Sequence, residues 1–418
     1  TTEQYYDPEA EQFLADRYIQ GTCPNCGSTD KAYGSQCENC GKDLSPDELL
    51  PPVRSVISNA KPELRETKHW FFRLDQHEAW LKEWIQTGKV DGQQLHNPRE
   101  WKKHVTGQCM SWLDGGLHPR SITRDLDWGI AVPDAPGKVL YVWFDAPIGY
   151  ISSTKQWALE NGGDWEKWWK ADDSRLVHFI GKDNIVFHCI VFPAMLKAHG
   201  EYNLPENVPA NQFLNFEGDK FSKSRGWGIE LQEYIDAFKD FPNNEDALRW
   251  ALIRNLPEQQ DADFTWDGFT EYHDKDLADK LGNFVNRVTV LTHKYFGGSV
   301  PETGETEART QVQGKVAEAV YAIGTHIEAY RFKEAATAFV ELATFGNTFL
   351  QEAAPWSLYK ANPDDPAIAE TMFLSAQIAA ALALTASPFI PFSADKLRAV
   401  LNQAPATNGD WQLALDAL

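Results

Sequence analysis

Leu176-Val177-His178-Phe179-Ile180-Gly181-Lys182-Asp183-Asn184-Ile185-Val186-Phe187-His188 is the stretch that decides the fold. Its first five residues form an almost unbroken apolar run, as in a strand buried on both faces. Gly181 to Asn184 breaks the run, and an apolar helix is expected from Ile185 to Ala198. Strand, glycine-bearing loop, helix is the unit of a parallel α/β sheet, whose ligands bind beyond the strand C-termini. Upstream, Val139-Leu140-Tyr141-Val142-Trp143-Phe144 reads as a strand of the same kind. Asp145-Ala146-Pro147-Ile148-Gly149-Tyr150 breaks it and opens a helix. Downstream, Phe213-Leu214-Asn215-Phe216 reads as a third strand.

That third strand leads into Gly218-Asp219-Lys220-Phe221-Ser222-Lys223-Ser224-Arg225-Gly226, where Gly, Ser and Asp predict a turn rather than a strand or helix interior. Two lysines three residues apart can reach one polyanion, as a flap over a triphosphate would. A solvated basic turn has the same composition. The two strand-end loops and the lysine loop are expected at one edge of one sheet.

Toward the N-terminus, Cys23-Pro24-Asn25-Cys26 and Cys37-Glu38-Asn39-Cys40 are two CxxC knuckles. Together they would complete a closed tetrahedral thiolate site for one structural zinc ion. Two disulfides or a redox pair are the alternatives. Leu64–Thr67 and His69–Leu74 read as strands, and Glu78–Thr87 as an amphipathic helix ended by Gly88. Trp70, Phe71 and Phe72 are expected to pack. Cys109 and Cys189 read as buried thiols.

Beyond Glu230 the chain looks helical. Residues 244–255 form one helix. Val316, Val320, Ile323, Ile327 and Tyr330 step by helical intervals, as do Phe332, Ala336, Phe339, Leu342, Phe345 and Phe349. Ala367–Ala386 is a further long helix, stopped by Pro388. The expected division is 1–117, 118–212, 213–262 and a bundle over 263–418.

The chain has 418 residues, more than one ordinary core requires, and its 43% hydrophobic content suffices for packed cores. No run of about 18 apolar residues is seen, so no membrane span and no membrane partner are expected. No signal peptide opens the sequence, and a cytoplasmic location is expected. The net charge of −21 argues against a non-specific nucleic-acid binder. The bundle alone carries 11 Lys+Arg against 20 Asp+Glu, a net −9. Any nucleic acid it binds must be held by a few specific contacts.

These stretches together resemble the methionyl-tRNA synthetase family of class I aminoacyl-tRNA synthetases. Lys220 to Ser224 resembles the KMSKS signature of that class, with Phe221 in place of Met. Tyr141–Tyr150, Gly181-Lys182-Asp183, Phe187-His188 and the paired knuckles match the family in order and spacing. The resemblance implies a multidomain fold, α/β plus all-α. A partial Rossmann-type parallel sheet would be joined by a zinc-knuckle connective domain and a helical anticodon-binding bundle. It implies ATP with Mg2+, methionine and tRNA(Met) as ligands.

The implied roles are these. Lys223 and Lys220 hold the departing phosphates, and Gly181 and Asp183 contact the ATP ribose, with Ser222 and Ser224 in the ATP-binding loop. Trp143, Ala146, Pro147, Tyr150, Phe187 and His188 line a methionine pocket, where Tyr150 would donate a hydrogen bond to the sulfur. Asn283, Arg287 and Trp356 read the anticodon. Taken alone, His188 on an apolar helix face reads as a packed histidine and Trp143 in a buried strand as core, and the alternative for Trp356 is a core residue beside a proline turn.

The class also carries a His-x-Gly-His signature, and none of the 11 histidines sits in one. That half of the nucleotide fold is expected upstream of Thr1, so these residues alone are not expected to form adenylate. Two rival readings remain. One is another class I synthetase, for Leu, Ile, Val or Cys. It is disfavoured because there is no room for an editing insert between Tyr150 and Gly181. The thiolates also lie far upstream of the pocket strand, unlike a pocket metal. The other is a non-catalytic tRNA-binding protein derived from a synthetase.

Overall fold

A computed structural model describes residues 1–35, 37–40, 44–221 and 226–404, in two compact units, Thr1–Pro209 and Ala210–Leu418. In the first unit, Thr2–Asp7 pairs antiparallel with Gln12–Phe13 on one side and Glu63–Thr67 on the other. A second small sheet places Ile19–Thr22 between Ala32–Tyr33 and Leu50–Ser55. Cys23 follows directly on its central strand, so the first knuckle grows from a fixed strand end. Leu14, Ile19, Ala32, Leu44 and Leu49 bury around Cys23 and Cys37. The Glu78–Thr87 helix forms with the expected bounds and ends at Gly88. It buries Leu81, Trp84 and Ile85, while the Lys103–Asp114 helix buries Val105, Cys109 and Leu113.

Three strand expectations are corrected. Of Val139–Phe144, only Val139–Leu140 is strand, and Val142–Asp145 turns into a helix. Tyr141 O accepts the amides of Phe144 and Asp145, so the chain closes a turn where an extended run was expected. The apolar residues face outward there, with Val142 62% and Trp143 51% exposed. Of Leu176–Ile180, the strand proper is Ile180–Gly181, and Val177 forms an isolated parallel bridge to Asn207. Of His69–Leu74, only Phe71–Phe72 pairs, and Trp70 and Phe71 are exposed rather than packed. The helix expected from Ile185 opens with a wide π-turn, Phe187–Val191, before the α-helix Phe192–His199.

In the second unit, Leu214–Phe216 pairs parallel with Ala262–Phe264 and antiparallel with Asp219–Lys220. Asp219 and Lys220 are thus strand, not turn, because the reversal is completed earlier. Glu217 (φ 49°) and Gly218 (φ 83°) both occupy the left-handed region, as a two-residue type I′ hairpin requires. Both carboxylate oxygens of Asp263 accept from Gly218 N, at 3.0 and 2.9 Å.

The bundle follows: Asn283–Phe296, Glu307–Glu328, Phe332–Ala353, Pro355–Ala361, Pro366–Thr385 and Pro391–Val400. The expected stripes bury Val316, Val320, Ile323, Ala336, Phe339 and Leu342 in one core. Pro366–Thr385 is apolar and long enough to cross a bilayer, which the sequence reading did not anticipate. It buries Ile368, Met372, Leu374, Ile378 and Leu382 among the other helices, which accounts for its apolarity. Gly346 sets the close approach of Phe332–Ala353 to Asn283–Phe296, since a Cβ there would lie 2.7 Å from Phe284 Cζ.

Candidate functional site

A cavity of about 350 Å³ opens in the first unit, lined by Trp143, Pro147, Tyr150, Phe179, Ile180, Asn184, Phe187 and His188. The short helix after Leu140 delivers Trp143. The helix Ile148–Asn161 delivers Tyr150 from its first turn. The π-turn delivers Phe187 and His188, and Trp143 and Phe187 face each other with ring centroids 5.7 Å apart. Five of the six expected pocket residues meet here, while Ala146 is not part of the lining. Phe179, Ile180 and Asn184 line it as well. Their signal was in the sequence, since they flank the Gly181 loop, but the apolar pair read as sheet core.

The polar end of the cavity has a defined proton arrangement. His188 Nδ1 lies 2.9 Å from the carbonyl oxygen of Asn184, which can only accept. Burial lowers the His188 pKa, which keeps the ring neutral. Nδ1 therefore carries the proton, and Nε2 accepts from the Tyr150 hydroxyl at 2.9 Å. The Tyr150 proton expected to reach a ligand sulfur is thus committed to His188, and Tyr150 offers a ligand its ring and an oxygen lone pair. His178 packs 5.2 Å from the His188 ring, and burial, then His188, lowers its pKa to about 4.

Gly181 and Asp183 sit at the end of Ile180–Gly181, and a Cβ on Gly181 would meet Asp183 Oδ1 at 2.6 Å. In the second unit, Lys220 lies on the hairpin with Nζ 5.8 Å from the Phe213 ring centroid. Ser222, Lys223, Ser224 and Arg225 lie outside the described residues.

The four knuckle sulfurs all lie within 4.8 Å of one another. Cys23 to Cys40 is 3.8 Å and Cys26 to Cys37 is 3.6 Å. A tetrahedron of sulfurs about 2.3 Å from a central ion has edges of about 3.8 Å. A disulfide would bring two sulfurs to about 2 Å. The donor set fits zinc. Asn25 Nδ2 lies 3.5 Å from Cys40 Sγ, and Asn39 Nδ2 lies 3.5 Å from Cys26 Sγ, so each knuckle's amide supports a sulfur of the other. The Asn39 contact lowers the Cys26 pKa. Burial pushes the Cys37 thiol up to about 11, so a cation is needed to hold that sulfur as a thiolate.

A groove of about 470 Å³ runs along the bundle, lined by Asn283, Arg287, Asn347, Gln351 and their neighbours. Asn283 Nδ2 donates to Asn347 Oδ1 at 3.3 Å, and Arg287 Nη2 donates to Gln351 Oε1 at 3.1 Å. Asn347 Nδ2 in turn donates to the carbonyls of Lys280 (2.8 Å) and Ala343 (3.1 Å), which fixes the direction of its amide. The Arg287 guanidinium lies 5.0 Å from the Trp356 ring centroid. The structure brings Asn283, Arg287 and Trp356 to one place. Asn347 and Gln351 went unnoticed, although their four-residue spacing mirrors that of Asn283 and Arg287.

Residues 1–289 match the family described as tRNA synthetases class I (M), so the chain belongs to the class I tRNA synthetases. Its branch is the methionyl one, for residues 300–418 match the anticodon binding domain of methionyl tRNA ligase. The methionine–tRNA ligase of Cytophaga hutchinsonii is 53% identical over 412 residues, 96% of this chain and 58% of that protein. The methionine–tRNA ligase of Porphyromonas gingivalis is 54% identical over 405 residues, 96% of this chain and 57% of that protein. The chain therefore spans less than two thirds of these relatives. A Mycobacterium tuberculosis methionyl-tRNA synthetase, solved in complex with methionyl-adenylate, superposes with a TM-score of 0.74 at 25% identity. That match covers 99% of this chain and 73% of the other.

Proposed function

We propose that this chain serves the ATP-dependent ligation of methionine to tRNA(Met). The observation that carries the reading is the cavity between Trp143, Tyr150, Phe187 and His188. It offers aromatic faces and a neutral imidazole, surroundings suited to a flexible thioether. Sulfur–aromatic contacts contribute roughly 0.3–1.5 kcal/mol each. A carboxylate oxygen of methionine attacks the α-phosphorus of ATP, pyrophosphate leaves, and methionyl-adenylate forms. A hydroxyl of the terminal tRNA ribose then attacks the acyl carbon, and AMP leaves. No covalent enzyme intermediate is needed. Catalysis comes from orientation and charge stabilisation.

Within this reading Gly181 and Asp183 hold the ATP ribose. Lys220 and Lys223, with Ser222 and Ser224, grip the phosphates and the accompanying Mg2+-bound pyrophosphate. One zinc ion cross-links the knuckle through Cys23, Cys26, Cys37 and Cys40 and supplies no reaction step. Asn283, Arg287 and Trp356 engage unpaired anticodon bases by hydrogen bonding and stacking. The work is cytoplasmic. These 418 residues contain no His-x-Gly-His, so we expect no adenylate formation from them alone. The test is methionine-dependent exchange of pyrophosphate into ATP. The full-length protein is expected to exchange and the 418-residue chain is not. Exchange with leucine or valine but not methionine would overturn the substrate. A full-length protein that binds tRNA(Met) without any exchange would favour the non-catalytic alternative.

A further inference from the structure

Asn184 lines the cavity and is half-buried. Its carbonyl oxygen accepts from His188 Nδ1 at 2.9 Å, which ties its main chain to the polar end of the cavity. Its side-chain amide makes no hydrogen bond to any described residue. Asn184 closes the short turn Lys182–Asn184, directly after Gly181 and next to Asp183. It therefore stands between the aromatic lining of Trp143, Tyr150 and Phe187 and the loop that holds the ATP ribose in the reading above.

The other polar side chains of the lining are committed or partly in water. His188 uses Nδ1 on the Asn184 carbonyl and Nε2 on the Tyr150 hydroxyl. The Tyr150 proton goes to His188, and the remaining lone pair on its oxygen can only accept. Trp143 has a single N–H and is half exposed to water. The ammonium group of an amino acid can be met by acceptors such as the Tyr150 oxygen. Its carboxylate can only accept, and drawing it out of water is costly unless donors meet it. The Asn184 amide brings two N–H donors to this lining. We propose that the Asn184 amide donates to the carboxylate of methionine and so holds the attacking oxygen toward the Gly181–Asp183 side of the cavity. The inference rests on reading the cavity as the methionine pocket and adds to it a residue that recognises the head group rather than the thioether.

The experiment is equilibrium binding of methionine and methioninol, at neutral pH, to the full-length protein and to its Asn184→Ala and Asn184→Asp variants. Methioninol keeps the thioether and the ammonium but carries a hydroxymethyl group where methionine has its carboxylate. In Asn184→Ala, methionine binding is expected to weaken about 10- to 100-fold and methioninol binding at most about fivefold. Asn184→Asp sets a second carboxylate against that of methionine. Methionine binding is expected to weaken beyond that of the alanine variant, while methioninol binding does not. Parallel losses for the two ligands in Asn184→Ala would overturn the proposal, because they report a displaced His188 or a contact to the ammonium. Tighter methionine binding in Asn184→Asp would overturn it as well, since it places the amide oxygen on the ammonium. Unchanged methionine binding in both variants would do the same. If Asn184→Ala fails to fold, the methionine-to-methioninol affinity ratio of Asn184→Asp decides. It falls if the amide donates to the carboxylate, and it holds or rises if the amide does not. Failure of the unsubstituted protein to bind methionine would instead refute the pocket reading.

Discussion

Gln351→Ala probes the bundle groove without touching its packing. Gln351 is exposed, and its Oε1 holds Arg287 Nη2 at 3.1 Å. A hydrogen bond to a charged group contributes about 1.5–3 kcal/mol when buried. In a groove open to water the lower part of the ordinary range applies, about 0.5–1.5 kcal/mol. The Trp356 contact at 5.0 Å remains in the variant and retains part of the guanidinium's position. The free-energy loss converts to about a 2- to 12-fold rise in the tRNA KM. The assay is aminoacylation at varied tRNA(Met) in the full-length protein, alongside pyrophosphate exchange without tRNA. Exchange is expected unchanged, because the amino-acid cavity lies in the other unit. An equal fall in exchange would refute the reasoning, and so would an unchanged tRNA KM.

Four further outcomes are expected. Trp356→Ala removes a stacking surface as well as the Arg287 contact, and tRNA affinity should fall about 10- to 150-fold. Trp356→Phe should recover part of that affinity in the same titration. Asn39→Ala removes an amide from Cys26 Sγ, so competition with a chelator should show zinc affinity lowered about 10-fold or more. Zinc analysis should give one ion per chain, lost with Cys23→Ser. His178 has its folded pKa depressed to about 4, so the unfolded chain takes up its proton first as pH falls. Stability from this group is therefore complete above pH about 6.5 and lost between about 6.5 and 4, by up to about 3 kcal/mol. Denaturant titrations at pH 7 and pH 5 should show a smaller difference for His178→Gln than for the unsubstituted chain.

The long helices were legible because their pattern repeats over many turns. Glu78–Thr87 and the stripes through Val316 and Phe339 follow from spacing alone. The knuckle was legible because the CxxC spacing fixes its geometry locally. Its supporting amides, Asn25 and Asn39, were not, since each acts across to the other knuckle. Val139–Phe144 misled because an apolar run has the same appearance in a buried strand and in a cavity wall. Trp143 is apolar for the cavity. Asn347 and Gln351 needed the close crossing at Gly346, where Phe284 packs on glycine, before they could be seen opposite Asn283 and Arg287.

The central claim is that the cavity between Trp143 and Phe187 receives methionine. Trp143 is half exposed at its rim, so its share of the emission from the 16 tryptophans is expected to respond to occupancy, and the response is assigned to it by its loss in Trp143→Phe. Methionine titrated into the full-length protein is expected to change that emission saturably, and Phe187→Ala is expected to weaken the response about tenfold or more. Saturable binding that is indifferent to Phe187→Ala, or the same affinity for leucine as for methionine, would contradict the account.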